Sequence, residues 1–169
     1  MILTNLTIIL GFLSALGIGV STVAVANFFV AVWDGHIDEH ERKMMGVTYF
    51  ILRTLMGLLL FSLVTFGIVS FLYDLPFDKY LFQVITLVFV LFINAGFMIF
   101  HKIPSAFGPA IQATAWYTLG VISLFHLMGV SFSYLRFLLL YLTFCFLLIT
   151  IVNFLLIYSK HRYESALKS

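Results

Sequence analysis

GVTYFILRTLMGLLLFSLVTFGIVSFLY, residues 46 to 73, decides the fold. The run exceeds the ~20 apolar residues a bilayer-spanning helix needs, and its one full charge is Arg53. Counted from near Met44, that charge falls roughly 12 Å along the helix. A cation at such depth costs about 2.5 to 3.5 kcal/mol on insertion scales. Arg53 is therefore expected to face protein, water or a ligand rather than acyl chains.

Working outward, the rest of the chain has the same character. Of 169 residues, 63% are hydrophobic and 9% charged, with a mean hydropathy of +1.14; soluble domains average about 45 to 50% apolar and about 25% charged. The expectation is an all-α polytopic transmembrane bundle, a single domain over residues 1–169 in a lipid bilayer. The net charge of +2 is spread over span ends, which gives no cationic face for nucleic acid. Cys145 is the only cysteine and has no intramolecular partner.

Five spans are expected, over about 7–33, 45–73, 80–100, 105–129 and 135–158. The first lacks an amino-terminal Lys or Arg and stays apolar through Trp33, too long for a signal-peptide core, so it is read as a retained span. Asn5 opens a glycosylation sequon that abuts the membrane, and the match is read as accidental. Glu39 and Lys43, like Asp38 and Arg42, are spaced to support a helix that projects beyond the second span. Asp74, Pro76, Asp78 and Lys79 mark one loop, and His101, Lys102 and Pro104 the next.

Charge sets the orientation. Arg42, Lys43, Lys102, Lys160, Arg162 and Lys168 share one side, against Lys79 and Arg136 on the other. The positive-inside rule then puts the amino terminus outside and the carboxyl terminus in the cytoplasm.

At ~1.5 Å per residue, Asn27, Arg53, Asn94, Gln112 and Asn153 all lie about 9 to 12 Å from the cytoplasmic span ends, one per segment. No Asp or Glu occurs within a span. A ring of carboxamide oxygens is expected to satisfy the guanidinium, with an anion or water completing it. Helical projection adds Trp116 and His126 to the interior, puts Gly46, Tyr49, Gly57 and Gly67 on the Arg53 side, and groups Thr143, Thr150 and Asn153. Ser14, Gly17, Ser21 and Ala24 form a small-residue seam suited to close helix packing.

Metal chemistry has weaker support. His36 and His40 have helical ligand spacing beside Asp34, Asp38, Glu39 and Glu41, but a solvated turn explains them as well. His101 and His161, at the cytoplasmic ends of two spans, have the placement for axial ligands to haem. No Gly-x-Ser-x-Gly turn or phosphate-binding glycine loop is present, so nucleophilic catalysis finds little support; whether the chain is an enzyme stays open, with a non-enzyme the preferred reading.

Three functions follow. The first is binding or conduction of a small anionic or polar solute around Arg53, with Asn27, Asn94, Gln112 and Asn153 lining the site and Trp116 and His126 along the path. The alternatives are an accessory subunit whose polar layer is structural, with lateral protein partners or further copies of itself, and a redox subunit holding haem or contacting quinone.

Overall fold

In the computed structural model, which describes residues 2–34, 39–74, 78–100 and 107–166, the chain forms five helices: α1 (Ile2–Asp34), α2 (Glu39–Leu72), α3 (Lys79–Ile99), α4 (Phe107–Leu127) and α5 (Tyr134–Ala166). Four contain segments long and apolar enough to cross a membrane: Thr4–Val30, Glu39–Leu72, Lys79–Ile99 and Tyr134–Leu155. The helix α4 is outside that set. Its Gly, Pro, Gln, Thr and Ser positions lower its hydropathy, and the reason is its place in the bundle.

The helix α4 is enclosed by three of the other four, with α1, α3 and α5 packed against it. Gln112, Thr114, Ala115, Trp116, Thr118 and Leu119 are all buried, so no single stripe defines its inner face. A helix enclosed by protein has no need of a continuous apolar surface. The outer helices show the opposite pattern, with Phe50 at 71%, Phe71 at 85% and Phe146 at 77% exposure. Apolar side chains on that scale belong in an apolar solvent.

Local chemistry accounts for the helix ends. Asp78 caps α3, accepting a hydrogen bond from the Lys79 amide at 2.6 Å. Ser133 precedes α5, and its Oγ accepts from the Arg136 amide at 3.4 Å, the N-cap arrangement. Beyond α4, Gly129 adopts φ +77° while its amide bonds His126 O and the Val130 amide bonds Phe125 O. That is a Schellman ending, which favours glycine at the left-handed position. Glu39 and Lys43 pair at 3.4 Å, as their spacing predicts; Asp38 lies outside the described residues.

The α1–α4 contact uses the small-residue seam. Ser14, Gly17, Ser21 and Ala24 are buried, and a Cβ at Gly17 would collide with the Trp116 ring while one at Gly120 would collide with Ile18. Between α1 and α4, Ser14 and Ser123 approach at 3.4 Å, and Tyr80 of α3 bonds Ser123 at 3.0 Å. Hydroxyls elsewhere turn back on their own helix: Thr48, Thr54, Thr65, Thr143 and Thr150 each donate to the carbonyl four residues earlier. The hydroxyl donor is thereby satisfied at each of those positions.

Candidate functional site

The polar layer is in part assembled. Asn94 of α3 is buried and donates through Nδ2 to Gly108 O at 2.9 Å and to Gln112 Oε1 at 3.0 Å. Gln112 in turn donates through Nε2 to Met56 Sδ of α2 at 3.1 Å. A thioether is a weak acceptor, so the carboxamide retains donor capacity. Close approach of α3 to α4 makes this possible, because Gly108 has no side chain where Met98 lies against it.

Arg53 joins the layer from its edge. Together with Tyr49, Leu52, Ala95, Met98 and Gln112 it lines a cavity of about 30 Å³ between α2 and α3. That volume accommodates one or two waters or a small polar group. The Arg53 side chain itself is exposed. Among the described residues it makes no ion pair, and no Asp or Glu lies between Glu41 and Asp74 or between Asp78 and Glu164.

A closed ring around the guanidinium is not what forms. The α2 face that enters the core carries Leu52, Leu55, Met56 and Leu59, whereas Gly46 and Gly57, on the Arg53 side, are exposed with open space beside them. The physical reason is cost. A buried charge needs a compensating partner, and none is encoded in a span, so leucines occupy the interior and the cation stays at the boundary. Asn153 is likewise exposed, on the same outward side of α5 as Thr143 and Thr150.

Depth fares better than direction. Ser14 meets Ser123 and Thr22 meets Tyr117, a register that makes α1 and α4 antiparallel. Five residues onward from Thr22 and five back from Tyr117 are Asn27 and Gln112, which brings them level. Asn27 Nδ2 is buried without a hydrogen-bond partner. No hydrogen bond among the described residues joins Asn27 or Asn153 to the Asn94–Gln112 pair.

Trp116 is wholly buried, wedged against α1, with its Nε1 unpartnered. It packs rather than lines the cavity. His126 lies ~21 Å along α4 from Gln112, stacked on Tyr80 with ring centroids 4.0 Å apart and 3.8 Å from Asp78. It belongs to the opposite end of the bundle.

The chain matches no family model, and no characterised protein or solved structure shows significant similarity to it. The site has to speak for itself.

Of the histidines proposed for metal or haem, His36 and His101 lie outside the described residues, and the His161 side chain does too. His40 is exposed near the start of α2. Among the described residues, no three His, Cys, Asp or Glu side chains gather as a metal site would require.

Tyr49, which helical projection places on the Arg53 side, is a cavity residue not named among the expected ligand-binding set. Its spacing of four from Arg53 was the available signal, since i and i+4 share a helix face. It lines the same cavity and adds a phenol donor.

Proposed function

We propose that this is an integral membrane protein in which all five helices span the bilayer, amino terminus outside, and that it binds a small anionic or polar solute at the Arg53 cavity. One observation carries the reading: a guanidinium with no carboxylate in any span lines one cavity with Gln112, a carboxamide with donor capacity to spare. A cation inserted at a cost of a few kcal/mol has use as a binding group for an anion. Tyr49 and Gln112 supply neutral hydrogen bonds around that charge. Asn94 orients Gln112 by occupying its oxygen, leaving the NH₂ group toward α2. Burial of the α4 helix supports its place as a fifth span, since its polar positions are shielded by its neighbours.

The cavity opens laterally between α2 and α3 at the exposed Arg53 edge, which favours a binding site over a central pore. The test uses purified full-length chain with chloride, nitrate, phosphate and acetate, read by thermal stabilisation. At least one anion should raise the melting midpoint of the wild type and leave Arg53→Gln unaffected. Equal stabilisation of both proteins refutes the site.

A further inference from the structure

The Arg53 cavity and a separate apolar groove follow one another along the cleft between α2 and α3. Along α2, Tyr49, Arg53, Leu60 and Val64 lie on one helical stripe, and along α3 so do Ile85, Phe89 and Phe92, while Ala95 and Met98 at the Arg53 cavity turn progressively toward the core. The helices α2 and α3 touch only loosely, and above the polar cavity they leave an apolar groove of about 310 Å³ walled by Leu60, Val64, Ile85, Val88, Phe89 and Phe92. Arg53 thus stands on the same stripe of α2 as the wall of an apolar groove, about two turns away from it.

Resting on the anion-site reading above, we propose that the cleft binds a free long-chain carboxylate, a fatty acid, with its head at Arg53 and its chain along the groove. The head cavity decides the head. At about 30 Å³ it takes a carboxylate, and a glycerol-linked phosphate would be too bulky and tethered at the headgroup level above it. One guanidinium matches one carboxylate, with two N–H groups placed for its two oxygens, and Tyr49 and Gln112 offer further donors. The groove decides the tail. From Arg53 to Val64 the helix rises ~16 Å, the reach of roughly 13 carbons of extended chain at about 1.25 Å each. The arrangement, polar at one end and apolar along its length, is complementary to an amphiphile and not to a small solute alone.

The experiment uses full-length protein in phosphatidylcholine nanodiscs, labelled by a palmitate analogue carrying a diazirine on its chain, with labelled peptides mapped by mass spectrometry. Label is expected on the groove segments of α2 and α3, blocked by excess myristate but not by methyl myristate or acetate. Arg53→Gln should lower labelling at least fivefold, and so should Val64→Trp, which fills the groove from an exposed wall and leaves the core untouched. Competition by methyl myristate as strong as by myristate overturns the proposal, because the head would then be irrelevant. Displacement by phosphatidylglycerol but not myristate assigns the cleft to a membrane phospholipid and overturns it too. Cross-linking of two copies through Gly57→Cys that excludes the probe gives the face to a second chain, with the same consequence. Acetate stabilisation that depends on Arg53, without groove labelling, leaves the anion site standing and removes the fatty acid. Labelling and acetate response both indifferent to Arg53→Gln remove the two together.

Discussion

Trp116 of α4 occupies the space where Gly17 of α1 would carry a side chain. The ring is wholly buried, so the contact that joins the central helix to α1 depends on the absence of one methyl group. Overpacking a closed core costs about 1 to 3 kcal/mol, and an indole cannot move aside as the end of a flexible chain can. Gly17→Ala should lower the unfolding free energy by that amount, while Gly19→Ala, with open space at its Cβ, should leave it unchanged or raise it. Thermal unfolding of the purified variants compares them directly.

Gly129 makes a different demand. Its φ of +77° is a conformation in which an L-residue loses about 1 kcal/mol. Gly129→Ala should destabilise the end of α4 by that much, and Gly129→Asn by less, because asparagine tolerates the left-handed region. Proteolysis in the 128–133 connection should rise in the same order.

The Asn94–Gln112 pair and Arg53 should respond oppositely to removal. Asn94→Leu removes the hydrogen bonds to Gly108 O and Gln112 Oε1 along with a weaker one to Met98 Sδ, and at ~0.6 kcal/mol for each of the first two in a membrane interior the loss is about 1 kcal/mol. Arg53→Leu removes an exposed cation with no partner among the described residues, and stability should hold or improve. A melting midpoint that falls for Arg53→Leu as far as for Asn94→Leu would mean that the guanidinium is structural.

Tyr80, Ser123 and Ser14 link α3, α4 and α1 in sequence. Tyr80→Phe and Ser123→Ala should each cost roughly 0.6 kcal/mol, and the double variant should cost less than their sum, since one hydrogen bond is counted in both. Additive losses in a double-mutant cycle would show that the two hydroxyls are not coupled.

Orientation has its own measurement. With Cys145→Ser as background, an impermeant maleimide added outside intact cells should label Ser133→Cys and not His40→Cys, and permeabilisation should expose the latter. The reverse pattern would invert the assignment drawn from the Lys and Arg distribution.

Much of the architecture was legible in the residues. Element number follows from hydropathy and from loop residues such as Asp78, which the structure shows capping α3. Heights follow as well, because a fixed rise per residue lets Asn27, Asn94 and Gln112 be placed level by counting. The seam of Ser14, Gly17, Ser21 and Ala24 was readable because only small residues allow such close packing.

What the chain did not disclose is which way α2 and α5 face. In water, an amphipathic pattern separates inside from outside, but a helix between lipid and a leucine-rich core meets apolar surroundings on both sides. Only the packing of Leu52, Leu55, Met56 and Leu59 against the other helices left Arg53 at the α2–α3 boundary and Asn153 outside. The sequence by itself determined that the chain forms five helices, while their ends moved, α5 running on to Ala166 rather than stopping near residue 158. Tertiary structure alone decided azimuth, because rotating α2 about its axis exchanges one apolar face for another at little solvation cost, and the choice falls to packing and to the lack of a carboxylate for Arg53.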